Sequence, residues 1–271
     1  MTNREKLKKC RRIVIKVGTS TLTYDNGRAN LIRIERLCRV ISDQMNKGNE
    51  VVLVSSGAIS IGMGRLRMKD KPVSIREKQA IAAVGQCELM NIYSKLFSEY
   101  SYIPGQILLT KDDIDDEITR VNISNTFKCL FEKEIIPVVN ENDTVSTREI
   151  YHNGTFGDND TLSAIVAEVV DADLLILLTD ISGLYDCDPK SNDNASLIHT
   201  VLEITPEIRN YAGGTSSKQG TGGMKSKIEA AKIAMKAGIH MIIADGKDPE
   251  VVNDIMNGEM VGTMFVAGTT K

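Results

Sequence analysis

Short apolar runs recur along this chain, at residues 13–17, 51–54, 107–109, 135–139, 174–178 and 241–244. They are rich in Val, Ile and Leu, and helical patterns lie between most of them. Leu31, Ile34, Leu37, Cys38, Ile41 and Met45 repeat at helical spacing, with Asn30 as N-cap and Gly48 as stop. Ser74 and Glu77 form a capping-box pattern ahead of Ile81 and Val84. Leu162, Ile165, Val166 and Val169 give another stripe, as do Ile228, Ala231 and Met235. Strands alternating with helices require a mostly parallel sheet covered on both faces. The 271 residues suit one large α/β domain or two lobes sharing a sheet.

The first run contains a lysine. In RIVIKVGTSTL, residues 12–22, Lys16 interrupts a β-branched strand that ends at Gly18, Thr19 and Ser20. A buried lysine is costly unless an anion waits for it, and open α/β sheets bind ligands beyond the carboxyl ends of their strands. An edge strand whose lysine reaches out to water fits this stretch equally well.

Further signals stand at the ends of later strands. Ser55-Ser56-Gly57-Ala58 closes the second run, where small residues let backbone amides approach an anion, although a tight strand-to-helix turn also explains it. Asn140-Glu141-Asn142-Asp143 follows the run at 135–139, a place to read a substrate or an ordinary turn. In Phe156-Gly157-Asp158-Asn159-Asp160-Thr161 three polar residues stand where a helix cap needs one, which favours function. Thr179-Asp180 ends the run at 174–178, and a capped turn accounts for it adequately. The sharpest signal is Gly220-Thr221-Gly222-Gly223-Met224-Lys225-Ser226-Lys227, a glycine-rich loop entering a helix. Lysines are disfavoured in a first turn by the helix dipole, so Lys225 and Lys227 make sense if phosphate lies against the exposed amides. A solvated face is the alternative. The irregular stretches 69–73, 146–156, 185–195 and 211–223 read as loops.

Several classes fall away. Lys and Arg number 33 against 36 Asp and Glu, a net charge of −3, which argues against a nucleic acid held by bulk charge. Cys10, Cys38, Cys87, Cys129 and Cys187 form no CxxC pair and read as reduced cytosolic thiols. His152, His199 and His240 have no zinc-ligand spacing. No signal segment follows the basic start and no apolar run would cross a membrane, so a cytoplasmic protein is expected. Neither GxxxxGK[ST] nor GxGxxG occurs.

The stretches IVIKVGTSTL, LVSSGAISIGM, PVVNENDTV, FGDNDTLSA, LLTDISGLY and GTGGMKSK resemble, in this order, motifs of the amino acid kinase family. Within that family they are most similar to members acting on free glutamate. The resemblance runs from Arg12 to Thr263. It implies a three-layer α/β/α sandwich with a mainly parallel central sheet, the acetylglutamate kinase-like fold. It also implies a single kinase domain over 1–271, glutamate in its N-terminal part and ATP with Mg2+ in its C-terminal part. The extra C-terminal module, related to RNA-modification enzymes, that many such members carry is not expected here.

The implied reaction is phosphorylation of the L-glutamate side-chain carboxylate, the first step of proline biosynthesis. The implied roles are Ser56, Asp143 and Asn159 for glutamate, with Lys16, Thr179, Asp180, Thr221, Gly222, Gly223, Met224, Lys225, Ser226 and Lys227 for ATP. Asp160 would orient the two catalytic lysines, Lys16 and Lys227. No residue is expected as a direct metal ligand. Feedback by proline and assembly as a homodimer or tetramer follow from the same resemblance, and neither a nucleic acid nor a membrane is expected as partner. Related kinases acting on N-acetylglutamate, aspartate or UMP, and a non-catalytic metabolite sensor on this fold, are the alternatives.

Overall fold

The computed structural model describes residues 2–145, 159–189, 191–192, 194–212 and 223–268. The first half of the chain runs α1 (Asn3–Leu7), β1 (Arg12–Val17), α2 (Thr19–Leu22), α3 (Leu31–Asn46), β2 (Glu50–Ser55), α4 (Ala58–Leu66), α5 (Ile75–Ser98), β3 (Pro104–Leu109), α6 (Lys111–Asp115), α7 (Glu117–Glu132) and β4 (Ile136–Glu141). The second half runs α8 (Asn159–Val169), β5 (Leu174–Thr179), β6 (Thr200–Val201), α9 (Pro206–Tyr211), α10 (Met224–Lys236), β7 (His240–Asp245), α11 (Val251–Met256) and β8 (Thr263–Phe265).

Among the described residues the strands form one sheet in the order β3-β4-β2-β1-β5-β7-β8-β6. All neighbouring pairs are parallel except β7 with β8. β1 is central, with Ile15 level with Leu53 of β2 and Ile176 of β5. The chain builds outward from β1 through β2, then crosses to its other side with β5. This reversal is where open α/β sheets leave a ligand crevice.

Strand alternation divides the core in two. Ile13, Ile15 and Val17 share one apolar cluster with Leu37 and Ile41 of α3 and with Leu89 and Tyr93 of α5. Val14 shares the other with Phe127 of α7, Leu162 and Val166 of α8, and Ile228 and Ala231 of α10. The result is three layers, helices on both faces of the sheet. Lys16 belongs by alternation to the face of α8 and α10.

Local signals hold at most helix starts. Asn30 accepts from the Arg33 amide at 3.2 Å, and Ser74 and Glu77 cap α5 reciprocally. The structure differs from the sequence reading in detail. Asn140 and Glu141 are the last residues of β4, not a turn beyond it. Tyr211 ends a helix, not a loop. Leu31 and Val84 are exposed although their spacing places them on apolar stripes. The short strands β6 and β8 carry no apolar run long enough to announce them.

Candidate active site

β1 delivers Lys16 to the reversal point, level with Val54 and Leu177. Its ammonium lies 2.6 Å from Asp160 Oδ1. Asp160 stands in the first turn of α8, and its other oxygen lies 2.9 Å from Lys227 Nζ, on the first turn of α10. The side chains of Lys16, Asp160 and Lys227 are only 8%, 1% and 7% exposed. Burial alone would raise the Asp160 pKa, but the two ammonium groups outweigh it and hold the carboxyl well below its usual range. One carboxylate thus holds two lysines in a nearly dry place. Ser226 Oγ lies 2.9 Å from Asp160 Oδ2 and 2.8 Å from Gly223 O, so its single proton serves one or the other.

A polar cluster borders this triad. Asn159 Nδ2 reaches Ser56 Oγ at 2.8 Å, Asn140 Oδ1 at 2.9 Å and Ser55 O at 3.2 Å. The carboxyl ends of β2 and β4 and the start of α8 are thereby tied to one another. Gly57, at φ 92°, caps α4 in the left-handed region that favours glycine. Its turn places the start of α4 beside Ser56. Asn140 Oδ1 also accepts from the Glu141 amide at 2.9 Å, and this network fixes the orientation of its amide. Among the described residues Asn140 Nδ2 is then a buried donor without a hydrogen-bond partner. Asp143 lies half-buried just past β4.

On the other side of β1, Thr179 ends β5. It is buried, and its hydroxyl donates to the exposed Asp180 at 3.1 Å. Gly223 caps α10 and Met224 is buried in the core. The two lysines of α10 diverge: Lys227 turns in to Asp160 while Lys225 is exposed. Thr221 and Gly222 lie outside the described residues.

The structure therefore brings Lys16, Asp160, Lys227 and Ser226 together, and beside them Ser56, Asn159 and Asn140. Asn140 is the member that residue reading did not single out. Its signal was present in the NEND stretch, but turn chemistry explained that stretch as well.

The arrangement suits transfer of a group that spreads negative charge. It offers preorganised cations, helix starts and amide donors. A histidine base is not built into it among the described residues. His240 opens β7 at the opposite end of the sheet, where its Nδ1 accepts from the Ala267 amide at 3.0 Å.

The family model described as the amino acid kinase family matches residues 11–245. A glutamate 5-kinase of Clostridium perfringens (strain 13 / Type A) is 59% identical over 264 residues, covering 97% of this chain and 98% of the relative. A glutamate 5-kinase of Listeria innocua serovar 6a is 53% identical over 264 residues, covering 97% and 96%. Among solved structures, a UMP kinase from Bacillus anthracis superposes with a TM-score of 0.65 at 17% identity, covering 95% of this chain and 96% of its own. A UMP kinase from Ureaplasma parvum gives 0.63 at 16% identity, covering 95% and 99%. At such identity the two solved structures speak for the fold alone.

Proposed function

This chain belongs to the amino acid kinase family, and from that premise we propose that it moves the γ-phosphoryl group of ATP to the side-chain carboxylate of L-glutamate. The products are ADP and L-glutamyl 5-phosphate, the entry to proline biosynthesis. The observation that carries the reading is the buried Lys16–Asp160–Lys227 bridge at the carboxyl ends of the strands. It sits in a chain 59% identical to a glutamate 5-kinase over nearly its full length.

The chemistry asks little covalent work of the protein. The attacking group is a carboxylate, already ionised at neutral pH, so no general base is needed. Phosphoryl transfer needs in-line positioning and neutralisation of spreading negative charge. Lys16 and Lys227 supply the charge, and Asp160 positions both ammonium groups before substrate arrives. Amides near Gly18, Gly57 and Gly223 add fixed donors.

Ser56, Asn159 and Asp143 hold glutamate, Asn159 meeting the α-carboxylate and Asp143 the α-ammonium. Thr179, Asp180 and residues 221–227 hold the nucleotide. These two halves make one kinase domain, glutamate in its N-terminal part and ATP in its C-terminal part.

Magnesium belongs to the same reading. Asp160 is committed to two lysines, and among the described residues no group of three His, Cys, Asp or Glu could cage a metal. Magnesium would come with the nucleotide held by Thr179, Asp180 and residues 221–227, and would supply charge neutralisation at its phosphates.

Proline acts as a feedback inhibitor competing with glutamate. Residues 146–156, the long polar stretch between the two acceptor motifs, lie outside the described residues. Assembly as a homo-oligomer, a dimer or tetramer, belongs to the same reading. Among the described residues no helix is long and apolar enough to cross a membrane.

ADP release measured across glutamate, N-acetylglutamate, aspartate and UMP tests the assignment. Glutamate should dominate, and proline should raise its apparent KM without changing kcat. Preference for another acceptor would overturn the reaction. A glutamate KM indifferent to proline would remove the feedback.

A further inference from the structure

The geometry points to Tyr93 as a positioning residue for the acceptor site, acting through Ser55 on Ser56. This rests on the reading of Ser56 and Asn159 as glutamate ligands. Tyr93 lies on α5, wholly buried, and its hydroxyl is 2.9 Å from Ser55 Oγ, itself wholly buried at the end of β2. Ser55 Oγ in turn donates to the Ser56 carbonyl at 3.2 Å. That leaves Tyr93 as the donor to Ser55, and burial pushes its phenol well above the usual range, so it keeps its proton.

The relay ends on a residue already gripped elsewhere. The Ser56 amide donates to Val17 O of β1 at 3.1 Å. Its hydroxyl accepts from Asn159 at 2.8 Å, while the Ser55 carbonyl takes the same amide at 3.2 Å. With Tyr93, the Ser55–Ser56 peptide is fixed from β1, α8 and α5 at once.

Helix α5 holds the next residues too. A Cβ on Gly85 would lie 1.7 Å from Ala58 O, so the start of α4 is pressed against α5 as closely as backbone allows. Gly85 and Tyr93 are eight residues apart, about two turns along one face of α5. That face meets the Ser55–Ala58 turn twice, once by backbone packing and once by a hydroxyl. Phenylalanine would fill the same space. A buried hydroxyl is justified only by the bond it makes, and here that bond ends at the acceptor serine.

The test compares Tyr93→Phe, Ser56→Ala and the double variant by steady-state kinetics for both substrates, with thermal melts. Tyr93→Phe should raise the glutamate KM about 3- to 10-fold, the worth of one neutral hydrogen bond. The ATP KM should stay unchanged. In the double variant the Tyr93→Phe effect should largely vanish, because its route to the ligand is already cut. Ser55→Ala, which removes the middle hydroxyl, should reproduce the same split between the two KM values. It serves as the decisive variant if Tyr93→Phe does not fold.

A melting shift with both KM values unchanged or moving together would make Tyr93 merely structural and overturn the proposal. Additive effects in the double variant would do so as well. If Ser56→Ala leaves the glutamate KM unchanged, the acceptor-site reading itself fails. If Ser56→Ala raises it and Tyr93→Phe does not, only the role of Tyr93 fails.

Discussion

Lys16 and Asp160 meet in a 2.6 Å ion pair whose two side chains are 8% and 1% exposed. The lysine comes from the central strand and the aspartate from the start of a helix on one face. Breaking such a pair by removing one partner leaves a buried charge uncompensated. Here the second oxygen is also taken, by Lys227 at 2.9 Å, so the carboxylate fixes the distance and direction of two cations. In the proposed reaction that is preorganisation in a physical sense: the charges are in place before negative charge develops between substrate and nucleotide.

The two lysines should therefore be worth more in the transition state than in binding. Lys16→Ala and Lys227→Ala should each lower kcat by about 10²- to 10³-fold, with the glutamate KM little changed. Either variant still leaves Asp160 one partner, so the fold should hold. Steady-state kinetics on protein shown folded by circular dichroism decides the matter, and a near-normal kcat would end the catalytic role.

Asp160→Asn should behave differently, because it removes the carboxylate that two buried ammonium groups share. Without ligand it should lose about 3–5 kcal/mol of stability in urea titration, the usual consequence of removing one partner from a buried ion pair. ATP, whose phosphates can sit between the two cations, should restore a larger share of stability in the variant than it adds to the wild type.

The pH dependence has a definite sign. Asp160 has a folded pKa depressed below the unfolded value of about 3.9. Its stabilisation is complete above that unfolded value and is lost as pH falls through the folded one. The gap between wild type and Asp160→Asn should thus narrow only below about pH 4. An unliganded variant as stable as the wild type would refute the account.

Much of this was legible in the residues, for reasons that differ by position. The central strands are continuous apolar runs because both their faces are buried, and Lys16 stands out against that background. The caps at Asn30 and Ser74 are local chemistry and hold. The short strands β6 and β8 depend on edge pairing and leave no periodic trace. The divergence of Lys225 and Lys227 was hidden because both fall in one helical turn, and only packing decides which faces Asp160. Asn140 was hidden for another reason. An asparagine after an apolar run is usually a turn residue, and its spare donor becomes visible only when its carbonyl is seen engaged by Asn159 and the Glu141 amide.

That spare donor makes a prediction. A buried Nδ2 without a partner among the described residues is costly unless a ligand completes it, and in the proposed reaction glutamate brings a carboxylate to this end of the sheet. Asn140→Ala should raise the glutamate KM by about 10-fold or more, the worth of a hydrogen bond to a charged group. The ATP KM should stay in place. Calorimetric titration of glutamate into the variant would check binding apart from turnover, and wild-type affinity there would leave Asn140 a structural residue.

The choice of acceptor turns on the α-nitrogen. Free glutamate carries an ammonium there and N-acetylglutamate a neutral, bulkier amide. A site for the free amino acid needs a carboxylate near that ammonium, and Asp143 lies half-buried just past β4, two residues beyond Glu141. Asp143→Ala should then raise the glutamate KM strongly and leave the ATP KM nearly unchanged. Truncating one partner of a hydrogen-bonded charge pair at a buried interface costs about 2–5 kcal/mol, which is roughly 30-fold or more in affinity. Half-burial places Asp143 toward the low end of that range. Acetylation should be penalised in the wild type because it removes the same charge and adds bulk. The measurement is the ratio of kcat/KM for glutamate over N-acetylglutamate in both proteins. A high ratio that collapses in Asp143→Ala makes this aspartate the reader of the α-ammonium. A high ratio that survives the substitution keeps the acceptor and removes Asp143 from its recognition. A wild-type ratio at or below one would exclude free glutamate as the preferred substrate.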